Sequence, residues 1–367
     1  MRAIFRKYSS CLVLLALSQL TFAQSPNFVN EFLNIGVGAR AHGMFGSVVA
    51  DVNDVTAAFW NPAGLSTIDE PFEVSAMHAE WFGSVANYDY ISFGKQLDKE
   101  IGSYGAISII RMAIDNIPNT LNLIGPDGSV DYDRVTSFSA ADYGIFLSYG
   151  RNLKPAGMSL GGSIKVIRRS IGSFGGAWGF GADVGWMWKR DKLSIGVMAK
   201  DITTTFNTWS FDLTEEEKII FQQTGNDIPV SSTEINLPKL LIGASYKIAK
   251  EKLSYTINGQ LNISSNGTKA GVLSSEKINL DPTFGFEIGF VNKVYVRAGV
   301  GNIQNVINPA NSNASSLEFQ PNIGLGLNLG RINVDYALGN LAEVAGIPSS
   351  HIISLRLRFE DRNSSSL

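Results

Sequence analysis

The sequence predicts an all-β protein: a transmembrane antiparallel β-barrel of about 14 strands with an N-terminal hatch segment in its lumen. Three observations predict it. Strand-length segments in which apolar and polar residues alternate recur from Phe72 to Phe359. Many run to about ten residues, the length a tilted strand needs to cross a bilayer and longer than the five or six of ordinary strands. The connections alternate between short and long. Any one segment fits a soluble sheet buried on one face equally well, so it is repetition to the chain end that favours a wall between lipid and water.

Residues 1–23 read as an export signal. Arg2, Arg6 and Lys7 form a positive start, Cys11 to Leu17 an apolar core too short to span, and Thr21-Phe22-Ala23 a small-residue cleavage site. The mature chain is then expected to begin at Gln24 and to lack cysteine, Cys11 being the only one. Without those three basic residues, 27 of the 30 remain against 33 acidic ones, and the net charge moves from −3 to −6. That balance argues against a nucleic-acid partner. An export signal followed by barrel strands implies the outer membrane of a Gram-negative bacterium.

Residues 24–68 break the ladder and are assigned to the hatch. Gly36-Val37-Gly38-Ala39-Arg40-Ala41-His42-Gly43 is small and flexible, and Asp51 to Trp60 is expected to form a short helix stopped by Pro62. Asn61 precedes a proline and is biased to extended backbone, so Asn61-Pro62-Ala63-Gly64 should turn the chain into the first strand. Residues 69–360 form the barrel. Strands are expected near Phe72 to Ala79, Tyr88 to Phe93, Gly102 to Ile114, Ala140 to Gly150, Met158 to Arg168, Ala177 to Trp188 and Leu193 to Lys200. Paired strands follow from Pro238 to Ile248 with Leu253 to Ser264, Pro282 to Val291 with Val294 to Asn302, and Glu318 to Gly330 with Ile332 to Asn340. The last rung, through Ile353, Leu355, Leu357 and Phe359, shows the period most clearly. An even count places both termini, with a short tail at 361–367, on the periplasmic side.

Tight turns are expected at Trp188 to Lys192, Ile248 to Lys252, Val291 to Lys293 and Gly330 to Arg331. Long outer loops are expected at Ile114 to Ala140, Asp201 to Leu237, Ser264 to Asp281 and Asn302 to Leu317. Trp178, Phe180, Val184, Trp186 and Trp188 share one face and suit an aromatic girdle, whereas core packing would instead bury them. Asp183, Lys189, Lys247, Asn258, Gln260, Glu287, Arg297, Asp335, Arg356 and Arg358 fall on the lumen face, where opposite charges can pair.

Catalytic chemistry is not apparent. Gly36-x-Gly38-x-x-Ala41 has the outline of a dinucleotide fingerprint but no strand before it and no long helix after it. His42, His78 and His351 are scattered without zinc-site spacing. Asp127, Asp131 and Asp133 in a glycine-containing stretch read as a solvated loop rather than a calcium site. No serine sits in a nucleophile elbow. No catalytic residue, metal or cofactor is therefore assigned. Thr214 and Glu217 form a capping box that starts a helix within the longest loop, and Trp209, Phe211, Ile219, Ile220 and Phe221 there are a candidate partner-binding set.

Asn34 to Met44 followed by Val52 to Leu65, with Gly36, Gly38, Arg40, Gly43, Trp60, Asn61, Pro62, Ala63 and Gly64 as the marked positions, resembles the N-terminal region of the PorV/PorQ family of Bacteroidetes. That family is similar to the FadL long-chain fatty acid transporters; in both, an Asn-Pro-Ala motif sits in a lumen-filling hatch of a 14-stranded barrel. The resemblance implies a non-enzymatic role in type IX secretion. Implied partners are translocon or attachment-complex proteins and cargo C-terminal domains, beside outer-membrane lipid and lipopolysaccharide. It equally implies an alternative, a FadL-like transporter whose hatch shifts while a hydrophobic molecule leaves through a side opening.

Overall fold

A computed structural model describes residues 29–125, 128–265, 273–275, 278–308, 311–342 and 348–359. The export signal, Asp127 and the tail at 361–367 lie outside the described residues. Period-two alternation becomes sixteen strands: β1 Phe72–Trp81, β2 Ala86–Asp98, β3 Ser103–Asn119, β4 Thr136–Leu153, β5 Met158–Ile171, β6 Gly175–Arg190, β7 Leu193–Lys200, β8 Thr205–Phe211, β9 Thr233–Asn236, β10 Lys239–Ala249, β11 Leu253–Ser264, β12 Asn279–Phe290, β13 Val294–Asn308, β14 Asn311–Asn328, β15 Ile332–Gly339 and β16 Ser350–Phe359. Fourteen of them make one closed antiparallel ring, from β1 through β7 and on from β10 to β16, which pairs back onto β1 from Phe72 with Phe359 to Glu80 with His351. Closure leaves the ring without an unpaired edge, which an isolated sheet in lipid cannot tolerate.

The two remaining strands correct the expectation of one long loop from Asp201 to Leu237. β6 pairs with β7 from Val184 to Arg190 and with β8 from Gly175 to Phe180, so β8 carries β7 onward past an interruption. β9 pairs with β8 and carries β10 onward in the same way. Between them the helix Glu215–Gln223 is capped as expected: the Glu217 amide donates to the Thr214 hydroxyl and the Thr214 amide to the Glu217 carboxylate. The supposed long loop from Asn302 to Leu317 is also mostly strand, since β13 reaches Asn308 and β14 begins at Asn311. Asn- and Ser-rich strand ends give little alternation to read once both faces are wet. The connections at residues 82–85 and 172–174 are short as well, so loop lengths do not alternate strictly.

Faces follow parity. Trp178 and Phe180 are half exposed on the outer wall, as are Ile257, Phe284, Phe290, Val296, Leu325 and Ile353. Water penalises such a surface and lipid does not. Inward positions are polar or small: Ser75, Ser92, Ser148, Ser163, Asp183, Asn258, Glu287 and Arg297 are buried. What buries them is the segment from Val29 to Ile68, whose Val37, Ala39, Met44, Val55, Ala57, Ala63 and Leu65 are wholly enclosed.

The hatch departs locally from expectation. Ala39–Gly43 of the glycine-rich run is a short helix rather than flexible chain, and the helix expected from Asp51 is confined to Ala57–Trp60. The Asp54 carboxylate accepts the Thr56 amide and hydroxyl, which delays helix entry. Asn61 is extended, as a residue before proline should be, and a 3₁₀ turn over Pro62–Thr67 intervenes before β1.

Candidate functional site: the hatch and the cavity above it

Asn61 organises one side of the floor. It is fully buried; its Nδ2 donates to the carbonyls of Val49 (2.8 Å) and Trp186 (3.3 Å), and its Oδ1 accepts the Ala63 amide (3.2 Å). One side chain thus ties two hatch segments to β6. The turn lies directly on the wall because β4, β5 and β6 present Gly150, Gly161 and Gly185 to it. A Cβ at Gly161 would fall 2.2 Å from the Pro62 carbonyl carbon, and one at Gly185 2.0 Å from Asn61 Oδ1. Pro62, Ala63 and Gly64 are all buried, and Ser148 and Ser163 both donate to the Ala58 carbonyl at 3.2 Å.

Charge holds the opposite side. Arg40 contacts Asp51 (2.5 Å) and Glu287 (3.2 Å); Arg297 contacts Glu287 and Asp335, each at 2.6 Å; Arg356 contacts Asp54 at 3.1 Å. Burial raises the cost of the Asp54 charge, yet the Arg356 guanidinium, the Thr56 hydroxyl and Arg40 outweigh it and hold the carboxyl below its usual range. Of the lumen-facing acids and bases read from the sequence, Asp183, Glu287, Arg297, Asp335, Arg356 and Arg358 do pair, whereas Lys189 and Lys247 are exposed and make no ion pair among the described residues. His42 is buried with Nε2 3.2 Å from the Gly36 carbonyl, and burial pushes its imidazole down to about 4 although that carbonyl favours the protonated ring. Gly36 and Gly38 take positive φ, and at Gly36 a Cβ would meet the Trp60 ring at 2.8 Å. The Trp60 indole in turn donates to the Val37 carbonyl at 2.8 Å. Gly43 lies against Gly324 of β14.

Above this floor, toward the long-loop end, lies a cavity of about 450 Å³. Its lining brings Ile35, Phe45, Trp60, Trp81 and Leu241 together with Lys200, Lys239, Gln260, Asn262 and Asn322, and with Glu31 and Asp281 on the rim. Lys200 and Lys239 are direct cross-strand partners. The Lys200 ammonium sits 4.0 Å from the centre of the Phe59 ring and 5.9 Å from that of Trp60, and no carboxylate among the described residues reaches it within ion-pair distance. Lys239 donates to Asn34 Oδ1 at 3.1 Å. Sequence reading missed both lysines; their only signal is an inward-facing cation at a strand end, and only register pairs them.

Beside the cavity the wall is interrupted at Asp201 to Thr204, where Asp201 and Thr204 both take positive φ. Lys165 closes the inner side of the break, with Asp183 at 2.8 Å and Asp201 at 2.5 Å, while Asn236 donates to Asp201 at 3.0 Å. The candidate partner-binding residues divide here. Trp209 and Phe211 belong to β8 rather than to a loop; Trp209 is buried, stacked on Phe211 and covered by the Arg169 guanidinium, because β8 continues the barrel wall with odd residues inward. On the loop helix Ile219 is exposed and Ile220 and Phe221 are half buried. His78 and His351 face outward, away from His42, and no cluster of metal-ligating residues occurs among the described residues.

No family model and no curated protein matches this sequence. Solved structures do match in fold. The toluene transporter TbuX of Ralstonia pickettii superimposes with a TM-score of 0.54 at 13% identity, over 89% of this chain and 99% of that one. The toluene transporter TodX of P. putida gives 0.55 at 11% identity, over 89% and 99%. A FadL homologue of Pseudomonas aeruginosa gives 0.50 at 11% identity, over 88% and 98%. The chain thus has the closed 14-strand barrel fold of the FadL-like proteins.

Proposed function

We propose that this chain is a non-enzymatic outer-membrane barrel of a Gram-negative bacterium that takes small hydrophobic or amphipathic molecules into the cavity above its hatch. One observation carries the reading: the cavity joins aromatic and aliphatic surface to a lysine ammonium, Lys200, that has an aromatic ring but, among the described residues, no carboxylate within ion-pair distance. A pocket of hundreds of cubic ångströms with a few convergent polar groups is the usual form of a small-molecule site. An apolar tail against Trp60, Trp81 and Ile35 with an anionic head at Lys200 and Lys239 uses every part of it. The shared fold with toluene transporters supports the reading. The irregular wall at Asp201 to Thr204, adjoining Lys200, is closed here by the Ile202 amide on the Ala182 carbonyl and by Lys165 with Asp183 and Asp201, and it is the place where release toward the bilayer would have to open. Deletion of the gene tests it: uptake of medium-chain carboxylates or monoaromatic compounds should fall and return with the wild-type gene, and unchanged uptake across both classes would sink it.

A second reading is favoured by the residues from Asn34 to Met44 and Val52 to Leu65, which resemble the PorV/PorQ hatch, and by the exposed Ile219 on the loop helix. In it, the long-loop end binds type IX secretion components or cargo C-terminal domains, and both termini and the tail lie in the periplasm. Mild-detergent purification should then recover translocon or attachment-complex proteins, and replacing Ile219 with Asp should reduce that recovery. A barrel isolated alone under these conditions counts against this reading and leaves the cavity untouched.

A further inference from the structure

The outer wall carries one row of residues that lipid does not explain. His78 of β1 lies opposite Asp89 of β2, Asp89 opposite Arg111 of β3, Arg111 opposite Tyr143 of β4, Tyr143 opposite Arg168 of β5, and Arg168 opposite Trp178 of β6. Direct cross-strand partners share a face. That face is the outer one, because the flanking Met77, Ala79, Tyr88, Tyr90, Ile110, Ile167 and Ala177 are all buried inward. The polar side chains are joined: His78 Nδ1 lies 2.7 Å from Asp89, Arg111 lies 3.2 Å from the same carboxylate, and the Arg168 guanidinium lies 5.2 Å from the centre of the Trp178 ring. The row holds one carboxylate and two arginines: Asp89 holds Arg111, while Arg168 has no carboxylate within ion-pair distance among the described residues and donates to the Arg169 and Ala177 carbonyls at 3.0 and 3.3 Å.

Height gives the row its meaning. Asp89, Arg111, Tyr143 and Arg168 each lie eight to ten residues from the short-turn end of their strands. At ~3.3 Å per residue and ~40° of tilt, that is roughly 20–25 Å, where an apolar band about 25 Å tall gives way to headgroups. Below the row the outward residues are Ile91, Phe93, Ile107, Ile109, Ile145 and Leu147, all exposed. On the opposite wall the outward residues eight to ten positions from the short turns are Leu240, Leu261, Leu280 and Phe319. The polar row runs through β1–β6 and continues on one side to His351 of β16, which lies opposite Glu80 of β1 and 2.6 Å from the Tyr336 hydroxyl, while β10, β11, β12 and β14 carry leucine or phenylalanine at this height, so it marks one side of the barrel.

We propose that this row is a binding site for the phosphate of an acylated, phosphorylated glycolipid of the outer leaflet, held by Arg111 and Arg168 with its acyl chains on the apolar wall beneath. Arg111 and Arg168 stand two strands apart, about 10 Å at ~4.8 Å per strand; Arg111 turns to Asp89 of β2 and Arg168 to Trp178 and the Ala177 carbonyl of β6, so both long side chains must swing toward Tyr143 to take one phosphate between them. Guanidinium is the group suited to bidentate phosphate contacts, and Tyr143 between them offers a hydroxyl donor. Asp89, shared with His78, holds the Arg111 arm along the wall. The inference rests on the outer-membrane reading but not on the cavity.

Full-length protein in detergent, first shown by cell fractionation to come from the outer membrane, is mixed with bisphosphorylated lipid A, its dephosphorylated form or phosphatidylglycerol and analysed by native mass spectrometry. The wild type should retain the bisphosphorylated form at least tenfold over the other two. Arg111→Gln with Arg168→Gln should abolish that preference while heat-modifiable migration on gels, the mark of a folded barrel, is kept. Equal retention of the phosphorylated and dephosphorylated forms by the wild type overturns the proposal without need of a variant. So does undiminished retention by the double variant, equal binding of phosphatidylglycerol, or loss of a co-purifying membrane protein with lipid retention unchanged. Recovery from another membrane would instead overturn the location on which it rests.

Discussion

The hatch packs on bare glycine at both flanks, and at one of them ion pairs to the wall are added. Against β4–β6 it is fitted: Asn61, Pro62 and Ala63 lie on bare glycine backbone, with the Asn61 amide and the Ser148 and Ser163 hydroxyls making neutral hydrogen bonds. Against β12–β16 it is fitted too, with Met44 over Gly285 and Gly299 and Gly43 against Gly324, and it is also latched: Arg40 and Asp54 of the hatch engage Glu287 and Arg356 of the wall, and Arg297 completes the set. Close packing falls off steeply with displacement and is indifferent to salt, whereas buried ion pairs respond to protons and to loss of a partner. The Asn61 flank, held without ion pairs to the hatch, is the anchor, and the Arg40 flank is the release point.

The largest effect should come from filling the anchor. Gly161→Leu places side-chain atoms where the Pro62 and Ala63 backbone now runs, beyond what a neighbour can yield. A loss of about 3 kcal/mol or more, the upper end for overpacking because it is backbone that would have to move, is expected in urea unfolding, together with ion conductance through an unplugged lumen in planar bilayers, both insensitive to salt. Breaking the latch should rank next. Arg297→Met strands Asp335 and leaves Glu287 with Arg40 alone, a cost of about 3 kcal/mol, the low end for a buried charge that loses its partner. Its conductance should appear without loss of the Asn61 contacts, read by hydrogen exchange at the Ala63 amide.

Acid should act on the hatch through His42. Its folded value of about 4 lies below the ordinary 6.5, so the unfolded hatch binds a proton that the folded one refuses. The neutral ring therefore contributes stability fully above pH 6.5, and that contribution is lost as pH falls toward 4. At ~1.4 kcal/mol per unit it amounts to roughly 3 kcal/mol. His42→Gln should flatten stability over that window. Asp54, whose value is depressed, contributes above the ordinary carboxylate range and loses its contribution only at lower pH. The smallest effect is expected from Asn61→Ala, about 1–3 kcal/mol for the buried groups left unpaired, with the glycine-lined seat still in place. If Asn61→Ala opened the lumen more than Arg297→Met, the anchor and the latch would have to be exchanged.

Much of this was legible in the sequence, for physical reasons that also mark where legibility stops. A strand with one face on lipid and one on a wet lumen must alternate, so the ring strands could be counted from Phe72 to Phe359. Asn61 before Pro62 forces extended backbone in any context, and the turn there could be read. The break at Asp201 to Thr204 could not, because β8 looks like loop until β6 pairs with it, and the same pairing turns Trp209 inward. Lys200 and Lys239 are distant in sequence, as are His78, Asp89, Arg111 and Arg168. Each alone is a single polar residue in a strand, and only the register collects them into a cavity wall and an outer row.

Titration of dodecanoate into the nanodisc-embedded barrel, followed by calorimetry against empty nanodiscs, tests the central claim most directly. A single saturable site is predicted, weakened at least tenfold when Lys200 and Lys239 are both replaced by Met. Heats no different from those of empty nanodiscs, or a site that the Lys200→Met and Lys239→Met pair leaves unchanged, would contradict it.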